Sequence, residues 1–448
     1  MTPISLDDLA NVIGTARPGR DAMVSRLTTD SREVRPGDVY LALRGERFDG
    51  HEFVRQAFDA GALSAVVERL PTDTSSDEPV LVVRDTRKAL ADIARWHRRT
   101  LRGKVVAVAG SNGKTSTKLL IHSVLRTTLR GSASPRSFNN DVGVPLTLLA
   151  ADTNDDYVVV EVGTNHPGEI ANLTDIARPD IAVVTSIGHE HLEGLGDLDG
   201  VRRENLAILG DAEADACPAA IVHAGDEAFV QSARRRGGRL TTFGNGESDV
   251  KLDNVEVGFD GTSFRSGGRR WNVPHLGRHA ASNALAAIAV GRQFGLSGDD
   301  IAAGLASADV PPMRLNVRPL PSGVVLLDDS YNANPESVRA ALDLLADLPT
   351  KGRRVAILGD MLELGPAGPD KHRDALRHAQ TVADVVVTVG PIFAEEADAE
   401  ARFATAADVP VESIVQPDDL VLLKASRGMR LETIAERLAS DQPLSAAA

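Results

Sequence analysis

Cysteine is nearly absent. Cys217 stands alone among 448 residues, which excludes an internal disulfide and a cysteine-cluster zinc site and points to a reducing compartment. Long hydrophobic runs are missing too: no stretch reaches the ~18 apolar residues of a membrane-spanning helix. Met1 to Gly14 lacks the basic start and apolar core of a signal peptide, so a cytoplasmic location without membrane insertion is expected. Positive charge is in deficit, 49 Lys and Arg against 63 Asp and Glu. A net charge of -14 argues against a nucleic-acid partner while leaving room for small anionic substrates. Only eight residues are lysine, so arginine is the default cation and each lysine is a choice. What remains is an ordinary folding composition, 42% hydrophobic and 25% charged.

At roughly 150 residues per domain the length suggests about three domains. Residues 1–102 hold short apolar segments, Val39 to Leu43 and Ala65 to Val67, between Gly and Asp turn signals, then the helix-like Thr86 to Arg99. This predicts a small α/β domain. From 103 to 312, the run Val105 to Ala109 reads as a strand buried on both faces of a parallel sheet. Tyr157 to Val160, Ile181 to Thr185 and Ala219 to Val222 repeat that pattern between helical stretches, which predicts a doubly wound central sheet. Pro311, Pro312, Pro319 and Pro321 mark a stiff link. Beyond it, in 313–448, Val324 to Leu327, Arg354 to Leu358, Val385 to Val389 and Leu420 to Leu423 predict a third, Rossmann-like α/β domain.

Directly after the first central strand comes Gly110-Ser111-Asn112-Gly113-Lys114-Thr115-Ser116 and then a helix-compatible segment. Strand, glycine loop and helix form the context of a phosphate loop. Glycines let backbone N–H groups approach phosphate oxygens, the helix N-terminus adds partial positive charge, Lys114 neutralises the β and γ phosphates, and the Thr115 hydroxyl can ligate Mg2+. Val108 stands where the longer standard loop has a glycine, so this is a shortened variant. The second strand ends in Glu161, at the sheet edge where ligands of open α/β sheets bind, a candidate for a second metal or for orienting water. The third ends in a turn carrying His189, Glu190, His191 and Glu193, again a metal-like set, and beside a phosphate loop Mg2+ is preferred to zinc.

Together these strand ends resemble the Mur ligase family, ATP-dependent enzymes that form peptide bonds of cell-wall precursors. Further segments carry the resemblance over nearly the whole chain: Asp30-Ser31-Arg32, Arg44-Gly45, Asp49-Gly50-His51, Asn139-Asn140-Asp141, Arg278-His279 through Asn283, Met313-Arg314-Leu315, Asp328-Asp329-Ser330-Tyr331-Asn332-Ala333-Asn334 and Lys424-Ala425-Ser426-Arg427. The likeness is greatest to members that add D-alanyl-D-alanine to UDP-N-acetylmuramoyl-tripeptide. It implies catalysis by Lys114, Glu161, His191 and Arg314, and ATP on residues 110–116 with Asn283, Arg314 and Asp329. Two Mg2+ ions would lie on Thr115, Glu161 and His191. Substrate contacts would come from Ser31, Arg32, Gly45, Asp49, His51, Asn139, Asn140, Tyr331 and Asn334, in a monomer whose third domain closes on ATP. Taken without the family, Asp328-Asp329 could equally be a turn and Arg314 a linker contact.

One position departs from the family pattern. Mur ligases commonly carry a carbamylated lysine some fourteen residues beyond the His191 position; here that place is Asn205, and no lysine occurs between Lys118 and Lys251. Either Glu204 supplies a substitute carboxylate, or Glu161, His191 and water suffice. A related amino-acid ligase with another acceptor, and a non-catalytic paralogue that binds UDP-muramyl peptide, are the rival readings.

Overall fold

A computed structural model describes every residue except 21, 46–47, 73–77, 211–218, 396–400 and 441–448, so Cys217 lies outside the described residues. The chain builds three α/β units in sequence. In the first, β1 (Leu27–Thr28), β2 (Val39–Leu41), β3 (Ser64–Val67) and β4 (Val80–Val82) form a parallel sheet in chain order, followed by helix α1 (Thr86–Arg98). Asp85 caps α1 by accepting from the Lys88 N–H, and Arg95 and Arg98 occupy its last turn, the charge order that the helix dipole favours.

The central unit is a seven-stranded parallel sheet. Its strands are β5 (Lys104–Ala109), β6 (Gly131–Ala133), β7 (Tyr157–Glu161), β8 (Ile181–Val184), β9 (Ala219–His223), β10 (Arg239–Gly244) and β11 (Val250–Lys251), in the order β11-β10-β9-β8-β5-β7-β6. Helix α2 (Lys114–Leu125) follows β5, and α3 (Glu169–Ala177) joins β7 to β8. Residues 105–109 and 157–161 are buried because helices cover both faces, which explains their uninterrupted apolar character. Strand order reverses around β5, so the loops after β5, β7 and β8 meet at one crevice beyond the carboxyl ends of the strands.

A three-stranded antiparallel meander over 253–273, which no run of buried residues announced, leads into α4 (Arg278–Gln293), and α4 packs along α2. The last unit orders its strands β12-β13-β17-β14-β15-β16, where β12 is Asn316–Pro319, β13 Val325–Asp329, β14 Arg354–Gly359, β15 Val385–Val389, β16 Ala401–Phe403 and β17 Leu420–Lys424. Only β12 runs antiparallel, with Pro319 on this edge strand where a missing N–H costs least. Helix α5 (Pro335–Asp347) opens on an Asn334–Ser337 capping box. Among the described residues no helix is long and apolar enough to cross a membrane.

Candidate active site

The phosphate loop leaves β5 through Gly110, whose φ is 122° and where a Cβ would lie 2.3 Å from Thr185 Oγ1. It enters α2 through Gly113, φ 83°, where a Cβ would lie 2.5 Å from Asn283 Oδ1. Neither position accepts a side chain, so the loop is clamped between the end of β8 and the start of α4. Lys114 Nζ curls back over it, donating to the Gly110 carbonyl at 2.5 Å and the Ser111 carbonyl at 3.2 Å, with Glu190 Oε2 at 3.3 Å.

Glu161, at the end of β7, is buried and fully bonded. Thr115 Oγ1 and Asn139 Nδ2 donate to Oε1 at 3.2 and 3.1 Å, while Lys118 Nζ approaches Oε2 at 3.1 Å and also donates to the Arg136 carbonyl. Burial pushes the Lys118 ammonium below the usual lysine range while the Glu161 carboxylate pulls it back. Lys118 was missed in the sequence, although its spacing of four from Lys114 on one helix, and the scarcity of lysine, were both signals.

His191 faces the same crevice. One ring nitrogen, Nδ1, is hydrogen-bonded to Glu363 of the third unit, and that bond holds the Glu363 carboxyl below its ordinary value. Its Nε2 lies 3.8 Å from Glu190 Oε2. The neighbouring His189 Nδ1 meets Glu336 Oε1 at 2.6 Å, Asn334 Nδ2 donates to Asn112 Oδ1 at 2.9 Å, and Glu193 N donates to the Glu363 carbonyl at 3.2 Å. The third unit therefore sits directly on the loops after β5 and β8. Glu336 and Glu363 carried no sequence signal of this role, because each acquires it only across the domain contact.

Arg314 lies at the junction, its guanidinium 4.2 Å from the centre of the Tyr331 ring. The residues on either side, Met313 and Leu315, take φ of 56° and 53°, a left-handed backbone that L side chains adopt at a cost and that aims Arg314 into the crevice. Lys424, at the end of β17, is buried and pairs with Asp329 Oδ2 at 2.7 Å; desolvation lowers its pKa against that pull. Three of the eight lysines thus converge here.

Two cavities flank these residues. One, of about 400 Å3, is lined by the loop residues Ser111 to Thr115 together with Asn139, Asn140, Glu161, Glu190, His191, Tyr331 and Asn334. The other, of about 390 Å3, is lined by Gly113, Ser116, Asn283, Asp329, His275 and His279. Arg314 and Lys424 belong to both. The structure therefore brings together the catalytic, ATP and metal candidates and four of the substrate candidates. It does not bring the N-terminal ones there. Asp49 is the centre of a separate cluster, meeting His51 Nδ1 at 2.6 Å, Arg69 at 2.9 Å and Arg44 at 3.0 Å. Arg32 is paired with Asp30 at 2.6 Å, Ser31 Oγ donates to Gln56 at 3.3 Å, and Gly45 N donates to the Phe48 carbonyl; none of these lines either cavity.

The Glu204 expectation is corrected. Its carboxylate accepts from Gly168 N and Ile170 N, each at 2.7 Å, and from Thr164 Oγ1 at 3.2 Å, so it anchors the start of α3 and lines neither cavity of the crevice. Asn205 is also turned inward, donating to the Val201 carbonyl at 3.0 Å. Among the described residues no three His, Cys, Asp or Glu side chains form a compact metal cage. A hydroxyl and a carboxylate side by side, as in Thr115 and Glu161, are still the hard oxygen donors suited to Mg2+ that also takes water and phosphate ligands.

Comparison with known proteins gives the same picture. Residues 23–98 match the model described as Mur ligase family, catalytic domain, residues 108–291 the Mur ligase middle domain, and residues 313–427 the Mur ligase, glutamate ligase domain. The UDP-N-acetylmuramoyl-tripeptide–D-alanyl-D-alanine ligase of Bacillus subtilis is 36% identical over 439 residues, 94% of each chain. A crystal structure of MurF from Acinetobacter baumannii superposes with a TM-score of 0.88 at 32% identity, covering 98% of this chain and 100% of that one. The MurF ligase of Thermotoga maritima in complex with ADP gives 0.81 at 29% identity, covering 93% and 97%.

Proposed function

The chain belongs to the Mur ligase family, and from that premise we propose that it joins D-alanyl-D-alanine to UDP-N-acetylmuramoyl-tripeptide with cleavage of ATP, in peptidoglycan precursor synthesis. The observation that carries this reading is the convergence of Lys114, Arg314 and Lys424 on one crevice beside Glu161, with a phosphate loop on one wall and a second sheet edge on the other. Two anions must meet there. The tripeptide carboxylate attacks the γ-phosphorus, ADP leaves, and an acyl phosphate forms; the dipeptide amine then attacks the acyl carbon, the carbon–oxygen bond to phosphate breaks, and an amide remains. Carboxylate and triphosphate repel, so fixed cations at the point of contact lower the barrier.

Asn283 and Asp329 line the cavity that would take adenine and ribose, and Lys114 would hold the β and γ phosphates. Thr115, Glu161 and His191 would hold Mg2+, two ions in all, which supply charge neutralisation at the transferring phosphoryl group. Lys118 pairs with one Glu161 oxygen and aims the carboxylate, and Asn139 fixes its other oxygen. The Asp49 cluster in residues 1–102 would take the uridine nucleotide, residues 103–312 ATP, and 313–448 the incoming dipeptide. A cytoplasmic, monomeric enzyme fits these soluble substrates. Phosphate release that requires ATP, UDP-N-acetylmuramoyl-tripeptide and D-alanyl-D-alanine together, with the pentapeptide product seen by mass spectrometry, tests the proposal. ATP cleavage indifferent to the dipeptide, or binding without turnover, would overturn it.

A further inference from the structure

Glu161 and Glu190 are both buried carboxylates lining the phosphate-loop cavity, and they are held very differently. Glu161 has a cation of its own, Lys118, and two further donors in Thr115 and Asn139. Glu190 has no such support. Its Oε2 meets Lys114 Nζ at 3.3 Å, and among the described residues no hydrogen-bond donor reaches its Oε1, although the residue is only 6% exposed. A buried carboxylate is tolerated when a cation or several donors face it. Lys114 cannot fill that place throughout. Its ammonium is curled back on the Gly110 and Ser111 carbonyls, and in the ligase reading it goes to the β and γ phosphates. Once nucleotide draws it outward, Glu190 stands in the crevice without a fixed cation.

The next residue supplies the complement. His191 takes φ 49°, and its Nδ1 is hydrogen-bonded to the Glu363 carboxylate across the domain contact. A carboxylate accepts, so Nδ1 carries the proton and the neutral ring presents the Nε2 lone pair to the crevice, the usual support of a metal-bound histidine. Nε2 lies 3.8 Å from Glu190 Oε2, too far for a hydrogen bond. It is nearer than the ~4.2 Å between opposite ligands of a Mg2+ ion with bonds of ~2.1 Å, so one ion can touch both. Two protein donors are fewer than a compact cage of three, and no such cage occurs among the described residues. An ion that keeps several waters and takes phosphate oxygens needs no more. Glu204 and Asn205, the polar side chains at the lysine-less position, are committed to α3 and to the Val201 carbonyl.

We infer that Glu190 is a ligand of the second Mg2+ ion and shares it with His191, while Thr115 and Glu161 hold the first. The carboxylate absent from the segment after His191 is thereby supplied from the turn itself, by the residue beside the histidine. Lys114 neutralises Glu190 before nucleotide enters, and the ion does so afterwards. The inference rests on the ligase reading, which provides the nucleotide that draws Lys114 away, and it adds a residue to the site.

The test titrates Mn2+, as a paramagnetic stand-in for Mg2+, into the full-length wild type, Glu190→Gln and Glu190→Asp, each with a non-hydrolysable ATP analogue, and follows binding by electron paramagnetic resonance. The wild type should bind two ions, one of them showing the nitrogen coupling of an imidazole ligand. In Glu190→Gln the affinity for that ion should fall at least ~10-fold and the nitrogen coupling should disappear, with the other ion changed less than about twofold; Glu190→Asp should recover part of the loss. Two ions held as in the wild type by Glu190→Gln, even with altered nucleotide affinity, would mean a carboxylate that only pairs with Lys114 and overturn the inference while leaving the ligase reading intact. A single ion in the wild type would do the same. The expected ion pattern in a wild type that forms no pentapeptide would uphold the ion site and sink the ligase reading alone.

Discussion

The central and third units each place a buried lysine–carboxylate pair at the carboxyl edge of a sheet, Lys118 with Glu161 at 3.1 Å and Lys424 with Asp329 at 2.7 Å, yet they are built differently. At the central edge the chemistry is contiguous: residues 110–116 form a loop whose backbone N–H groups and helix terminus suit phosphate, and the side chains that complete it come from the adjoining strand ends. At the third edge nothing binds by itself. Arg314, Asp329, Tyr331 and Lys424 come from the link and from two separate strands, and they complete a cavity only because the facing loops close it. A phosphate site can be local because its ligand is read by backbone; a site for joining two anions needs charges from two bodies.

The largest effect that separates the two edges is expected at Lys114. Lys114→Ala should lower coupled phosphate release by ~10^3-fold or more with little change in thermal midpoint, since Lys114 bonds mainly to loop carbonyls. A loss under tenfold would undo the primacy of the central edge. Next come the two buried pairs. Lys118→Met and Lys424→Met each strand a carboxylate and should each cost about 3–5 kcal/mol by denaturant unfolding. If the edges are distinct in role, a nucleotide-binding assay by calorimetry should find the Lys424 variant impaired and the Lys118 variant impaired chiefly in its Mg2+ requirement.

Smaller is the effect expected of the missing carbamate. With no lysine at the Asn205 position and Glu204 committed to α3, the rate should be the same with and without added bicarbonate, measured in degassed buffer. A bicarbonate-dependent gain would require a carbamylated lysine at one of these edges. Smallest is a pH effect remote from both. His97 accepts from Thr2 N at 3.1 Å and bonds the Ala151 carbonyl at 3.1 Å, and burial lowers its pKa to about 4 from 6.5. The unfolded chain then binds more protons between those values, so this contribution is complete above pH 6.5 and lost as pH falls towards 4. His97→Gln should flatten the thermal midpoint over that window.

Much of this was legible in the amino-acid order. Uninterrupted apolar runs located four strands in each of the two larger sheets, β5, β7, β8 and β9 in one and β13, β14, β15 and β17 in the other, because burial on two faces leaves no polar alternation, while β6, β10, β11, β12 and β16 carried no such run; the glycine loop announced its own chemistry. The meander over 253–273 was not legible, since its strands are half-exposed and polar on one side. Glu204 shows the limit from the other direction: sequence placed a carboxylate one residue from the family's lysine, but a helix turn between neighbours points it at a different backbone.

The sequence by itself determined the three α/β units, the phosphate loop and the candidate cations, because those depend on periodicity and on contiguous residues. Only the tertiary structure decided which charges face one another: that Lys118 holds Glu161, that Glu363 holds His191, and that Arg314 and Lys424 stand between two cavities. Coulomb and hydrogen-bond energies fall off within a few ångströms, and distances between residues 114, 190, 314 and 424 exist only once the domains have met.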